Sequence, residues 1–160
     1  MHNEEIIVQL KKNGFEGFLS IADLRIDKKV IPQMPGVYMV VRISGLEPQF
    51  LKVGTGGFFK GKNPNVQIEE LEKNWVEDES LLYIGKATDL RKRLGAYLNF
   101  GQCKNVGHWG GRFIWQLADS DKLIICWKVL SEVEPRKYEQ SFLYEFYKVN
   151  GKYPFANLKG

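Results

Sequence analysis

The sequence predicts a single α/β domain, a small three-stranded sheet flanked by helices, and three observations predict it. Three short runs rich in β-branched and aromatic residues, VYMVVR, LLYIG and KLIICWKVL, are compact and apolar, which is the pattern of buried strands. Residues 89–99 and 135–149 carry apolar side chains at helical spacing between and after those runs. The chain has 160 residues, 44% of them apolar and 13% aromatic, with a mean hydropathy of -0.30. That composition supports one well-formed core and argues against a disordered chain, a collagen-like repeat or a disulfide scaffold.

Each element has a local cause. Ile6, Ile7 and Leu10 give residues 4–12 an amphipathic pattern that breaks at Gly14, and a second short helix is expected over residues 21–25, so residues 1–35 read as a helical lead-in. The prolines of IPQMPG stop any helix before the first strand. Leu90, Leu94, Tyr97 and Leu98 line one face of the next long helix, with Thr88 or Asp89 as its cap. The last helix begins at Pro135, presents Phe142, Leu143 and Phe146, and ends at Gly151. Residues 43–80 interrupt this order: GTGGFFKGKNPNV reads as loop and leads into an acidic helical stretch, IEELEKNWV. The segment looks like an insertion between the first two strands.

Several classes of protein are set aside at this stage. No apolar run approaches the roughly 20 residues of a membrane helix, and the acids in MHNEEIIVQLKKNG do not fit a signal peptide, so the expected compartment is cytoplasmic. Cys103 and Cys126 are too few and too far apart for a metal knuckle. The net charge of +4 is a mild pointer to a polyanionic partner, and its placement says more. Residues 83–104 hold Lys86, Arg91, Lys92, Arg93 and Lys104 against Asp89 alone, while the acids gather at Glu69, Glu70, Glu72, Glu77, Asp78 and Glu79.

Two tripeptides, Gly36-Val37-Tyr38 and Tyr83-Ile84-Gly85, each place a tyrosine on an expected strand. The second continues as Tyr-Ile-Gly-Lys-Ala-Thr-Asp-Leu-Arg-Lys-Arg-Leu, with Arg93 ten residues after Tyr83, and the chain closes on Pro154-Phe155-Ala156-Asn157. Together these resemble the GIY-YIG nuclease family, over residues 36–42 and 80–157. The resemblance implies a mostly antiparallel sheet and an endonuclease that hydrolyses a DNA phosphodiester with one divalent metal, Mg²⁺ or Mn²⁺, leaving a 5′-phosphate and a 3′-hydroxyl.

Such a reaction needs a group to orient or deprotonate water, a cation for the transition-state charge, and a metal or proton for the leaving oxygen. The resemblance assigns Tyr38 as base or water-orienting group and Tyr83 as a second positioning hydroxyl. Because a phenol titrates near 10, Tyr38 needs a nearby cation, and Lys86 stands one residue past the YIG turn. Arg93 matches the family's catalytic arginine, a permanently charged fork for a phosphate oxygen. Tyr97 lies one turn beyond it on the same face. His108, in GHWGGRFIWQL, is a candidate for proton transfer. Arg91, Lys92, Lys104, Arg112 and Asn157 are candidate nucleic-acid contacts.

The expected metal ligand is Glu139, with Glu145 as the alternative. Phe142, Leu143 and Phe146 at i+3, i+4 and i+7 put Glu139 on the inward stripe, whereas Glu145 keeps the shorter family distance to Asn157. DNA is the expected partner, with RNA open, and the insertion offers a surface for a protein partner or a second copy. Two rival readings stay open: a nucleic-acid-binding module on the same fold that does not cut, and a protein-interaction domain that works through the insertion.

Overall fold

The computed structural model describes residues 3–158. Its sheet contains β1 (Glu16–Ser20), β2 (Gly36–Val41), β3 (Leu81–Ala87) and β4 (Ile124–Val129), in the order β1-β4-β2-β3 with every pair antiparallel. The sheet is therefore four-stranded and the fold α+β, which corrects the expected three strands. The additional strand, β1, lies in the segment read as helical lead-in. It is five residues long, Gly17 and Phe18 have φ of 96° and 56°, and its register on β4 shifts between Gly17 and Leu19. A bulged edge strand built around a glycine lacks the β-branched alternation that marks a strand in sequence.

The helices are α1 (Asn3–Lys12), α2 (Ile21–Ile26), α3 (Ile68–Asn74), α4 (Leu90–Phe100) and α5 (Pro135–Asn150). Their ends follow capping chemistry. The Ser20 hydroxyl accepts from the Asp23 N–H at 3.1 Å, and the Asp89 carboxylate accepts from the Lys92 N–H at 3.1 Å. Pro135 opens α5, and Gly151 closes it in the left-handed conformation.

Every residue of β2 is buried, because the sheet is covered on both faces. Alternate side chains point to opposite sides. Val37, Met39 and Val41 pack with Ile6 and Leu10 of α1 and Leu143 and Phe146 of α5. Tyr38 and Val40 enter the other core with Leu90, Leu94, Tyr97 and Leu98 of α4 and Phe113, Ile114 and Trp115.

Residues 43–80 are sewn into this second core. Leu71 and Trp75 are buried, and the rings of Phe50, Trp75 and Phe155 lie 5.1 to 5.8 Å apart between centroids. Arg42, at the end of β2, pairs with Asp119 at 3.0 Å and donates to the Leu46 carbonyl at 2.8 Å. The Gln116 amide accepts from the Val66 N–H and donates to the Leu51 and Val66 carbonyls. What projects from the segment is the turn around Phe58–Lys62.

The outer edge of β3 is covered by the C-terminal segment. The Asn157 side chain accepts from the Ile84 N–H and donates to the Ile84 carbonyl, both at 3.0 Å, and the Ala156 N–H donates to the Leu82 carbonyl. A strand edge that would otherwise offer free backbone groups is closed in this way. No helix among the described residues is long and apolar enough to cross a membrane.

Candidate functional site

The register of β2 on β3 sets Tyr38 opposite Gly85 and Val40 opposite Tyr83. The Tyr38 ring lies directly over the Gly85 α-carbon, where any β-carbon would overlap the phenol. That contact accounts for the glycine of the Tyr-Ile-Gly string. The two tyrosine rings are 6.0 Å apart. Lys86 points to the other face of the sheet, toward α5, and donates to the Glu139 carboxylate at 3.1 Å. Arg93 comes from the first turns of α4, and its guanidinium leans toward the Gly107 carbonyl at 3.5 Å.

These groups meet in a cleft of about 770 Å³ lined by Tyr38, Tyr83, Lys86, Lys92, Arg93 and Glu139, together with Thr88, Asp89, Gly107, Glu134 and Arg136. Four cations and three carboxylates face it. Two of the carboxylates are engaged, Asp89 as the cap of α4 and Glu139 with Lys86. Among the described residues Arg93 has no carboxylate partner. A guanidinium in a half-buried cleft without an anionic partner is suited to an anionic ligand.

Burial decides the protonation states. It raises the Tyr38 phenol well above its ordinary value, with the Tyr83 phenol adding to the rise and the Arg93 charge opposing it. Tyr83 is pushed up to about 12, mainly by burial, with the Tyr38 hydroxyl and Arg93 opposing and Glu139 reinforcing the rise. Both phenols are neutral hydroxyls near pH 7. His108 is fully buried, and desolvation, reinforced by Arg93, brings its imidazole down to about 3, so it is neutral as well.

The histidine tautomer follows from its partners. His108 Nδ1 lies 3.0 Å from the Gly110 carbonyl, which can only accept, so Nδ1 carries the hydrogen. Nε2 then presents a lone pair to the Tyr38 hydroxyl at 3.1 Å, and the phenol donates to it. The imidazole also lies against Tyr97, 4.4 Å between ring centroids. The loop that carries His108 is pressed onto the tyrosines: Gly111 has φ of 77°, and a β-carbon there would come within 2.9 Å of the Tyr83 ring and the Tyr97 hydroxyl.

The remaining candidates divide. Lys92 lines the cleft. Tyr97 is buried, and its hydroxyl donates to the Gly111 carbonyl at 2.8 Å. Arg91 donates to the Ile31 and Lys29 carbonyls, pinning α4 to the segment before β2. Asn157 has its amide engaged on both sides by Ile84. Arg112 stacks over Trp109 at 4.7 Å, and Lys104 is exposed on the neighbouring loop. Glu145 is exposed and borders a separate apolar groove with Ile6, Leu10 and Phe146.

Sequence reasoning missed Arg136, which stands three residues before Glu139 and so shares its helix face. That spacing was the available signal. The Tyr38–His108 hydrogen bond spans 70 residues and had none.

The metal expectation is corrected. Among the described residues no group of three or more His, Cys, Asp or Glu side chains is placed to hold a metal ion. The expected Mg²⁺ or Mn²⁺ centre, and with it the metal-dependent endonuclease reaction, lacks the ligand cluster it would need, and Glu139 faces a lysine. Comparison of the chain with protein-family models, with curated proteins and with solved structures finds no match.

Proposed function

We infer that the chain is a nucleic-acid-binding module of GIY-YIG type that seats a backbone phosphate of DNA in the cleft between α4 and α5. The observation that carries this reading is the Arg93 guanidinium, unpaired by any carboxylate among the described residues and set beside two neutral phenols. A phosphate oxygen facing Arg93 gains a charge-assisted hydrogen bond. The Tyr83 hydroxyl supplies a neutral donor, and Lys92 and Arg136 line the same cleft. Lys86, Lys92 and Arg93 of the basic run line this cleft. Both cysteines are free thiols, in keeping with action in the cytoplasm.

The experiment is a titration of a fluorescently labelled DNA duplex with the wild-type chain and with Arg93→Ala. Loss of one charged hydrogen bond to phosphate is worth about 1.5–3 kcal/mol, which corresponds to roughly a tenfold to hundredfold weaker Kd. Equal affinities would remove Arg93 from the binding site and overturn the reading.

A second reading, phosphodiester hydrolysis by the protein's own groups, is favoured by the Tyr38–His108 hydrogen bond. A neutral imidazole that accepts the Tyr38 hydrogen bond fixes the phenol so that its remaining lone pair can orient a water for attack on phosphorus, the water's proton passing to solvent and the departing 3′ oxygen taking one from it. Arg93 would then face the charge that develops on the phosphate.

A further inference from the structure

Two loops from different parts of the chain are laced together beside the cleft. Gly107, whose carbonyl faces Arg93, belongs to both the cleft lining and the 103–108 loop. On its other side, a β-carbon at Gly107 would touch the Phe59 ring at 3.4 Å. The Lys60 N–H donates to the Asn105 side chain at 3.2 Å, and the Cys103 N–H donates to the Thr55 carbonyl at 2.8 Å. Gly57 lies so close to the Lys104 carbonyl that no side chain would fit there. The turn around Phe58–Lys62 is thus held as a continuation of the cleft wall.

Its chemistry is one-sided. Residues 48–67 hold Lys52, Lys60 and Lys62 and no acid, and residues 101–118 hold Lys104 and Arg112 and no acid. The acids that flank the 48–67 stretch along the chain are Glu47 before it and Glu69, on α3, after it. Lys60, Lys62 and Lys104 are exposed. Phe58 is 50% exposed at the tip, although the neighbouring Phe59 packs inward over Gly107. A phenylalanine presented to solvent among lysines, on a loop fixed by backbone hydrogen bonds, has the make-up of a single-strand grip. Cations neutralise successive phosphates, and the ring takes an unstacked base.

We propose that the Phe58–Lys62 turn binds the nucleic-acid strand leaving the cleft, with Phe58 stacking on an unpaired base and Lys60, Lys62 and Lys104 on its phosphates. This rests on the reading that the cleft seats a phosphate, and it makes a single-stranded tail next to the duplex part of the preferred ligand.

The test measures affinity for a short blunt DNA duplex and for the same duplex extended by a single-stranded oligothymidine tail at either end. The variants are Arg93→Ala, Phe58→Ala, Phe58→Leu and the double change Lys60→Ala with Lys62→Ala. The wild-type chain should prefer a tailed duplex by about tenfold, the scale of one stacked base. Phe58→Ala should erase that preference, and Phe58→Leu, which keeps apolar bulk without a ring face, should erase it too. The double lysine change should reduce the slope of log K against log salt on the tailed duplex by about 1.4, two phosphate contacts on a single strand. Arg93→Ala should weaken both ligands alike. Indifference of the wild type to the tail, or a tail preference that survives the Phe58 and lysine changes while Arg93→Ala still weakens binding, would overturn the grip and leave the cleft reading standing. Failure of the wild type to bind either DNA would defeat the cleft reading itself, and the grip with it. Unchanged thermal unfolding of the exposed-residue variants shows that the comparison is between folded proteins.

Discussion

Replacing His108 by Gln should make the chain less sensitive to acid. In the folded protein burial brings the His108 imidazole down to about 3, against 6.5 in an exposed chain. Between those values the unfolded chain binds a proton that the native one refuses, so stability falls as pH falls. The contribution is fully present above about pH 6.5 and is lost progressively toward about pH 3. From about pH 7 to about pH 5, above the range where most carboxylates titrate, this one group should cost about 2 kcal/mol. For a chain of this size that lowers Tm by about 4–8 °C. Glutamine can keep a polar contact to the Tyr38 hydroxyl and has no proton to gain. Urea unfolding at the two pH values should therefore show the wild type losing about 2 kcal/mol more than His108→Gln. Equal losses in the two proteins would mean that His108 titrates normally in the folded state, and the tautomer argument for the Tyr38 hydrogen bond would fail.

Two further outcomes follow from the packing and the site. Trp75→Ala should destabilise the chain by about 3–5 kcal/mol in urea unfolding, because the indole fills the space between Phe50 and Phe155; a near-neutral result would show that residues 43–80 are not part of the core. If the Tyr38–His108 pair supports hydrolysis, supercoiled plasmid should be nicked in the presence of EDTA and Tyr38→Phe should abolish the nicking; no nicking by the wild type under those conditions would leave the module a binder only.

What the sequence made legible is what local pattern controls. β2, β3 and β4 are short apolar runs, and α4 and α5 announce themselves by apolar spacing, by Asp89 at a cap and by Pro135 and Gly151 at two ends. β1 was hidden because its strand character comes from pairing with β4 across about a hundred residues, and its own backbone is bent at Gly17 and Phe18. The core residues of the 43–80 segment were hidden for a related reason: composition showed a glycine- and lysine-rich loop, whereas Leu71 and Trp75 find their partners far away in sequence.

The site divides along the same line. Tyr38, Tyr83, Lys86, Arg93 and Glu139 line one cleft, because two paired strands and the two helices that cover them fix their positions. Asn157, singled out by the resemblance, and Arg91, singled out by the basic run, both have their side chains engaged on backbone groups of the protein itself. The metal centre was an expectation carried by the resemblance, and the described residues do not assemble the ligands for it.

A phosphate seated on Arg93 should be visible at the guanidinium itself. The most direct measurement is the side-chain Nε–Hε resonance of Arg93, assigned by loss of its signal in Arg93→Lys, followed by NMR as a short DNA duplex is added. With a phosphate on Arg93, this resonance should shift and saturate with the same Kd as the backbone amides of residues 85–89 and 107. Saturation of binding with the Arg93 resonance unmoved, and shifts confined to other surfaces, would contradict it.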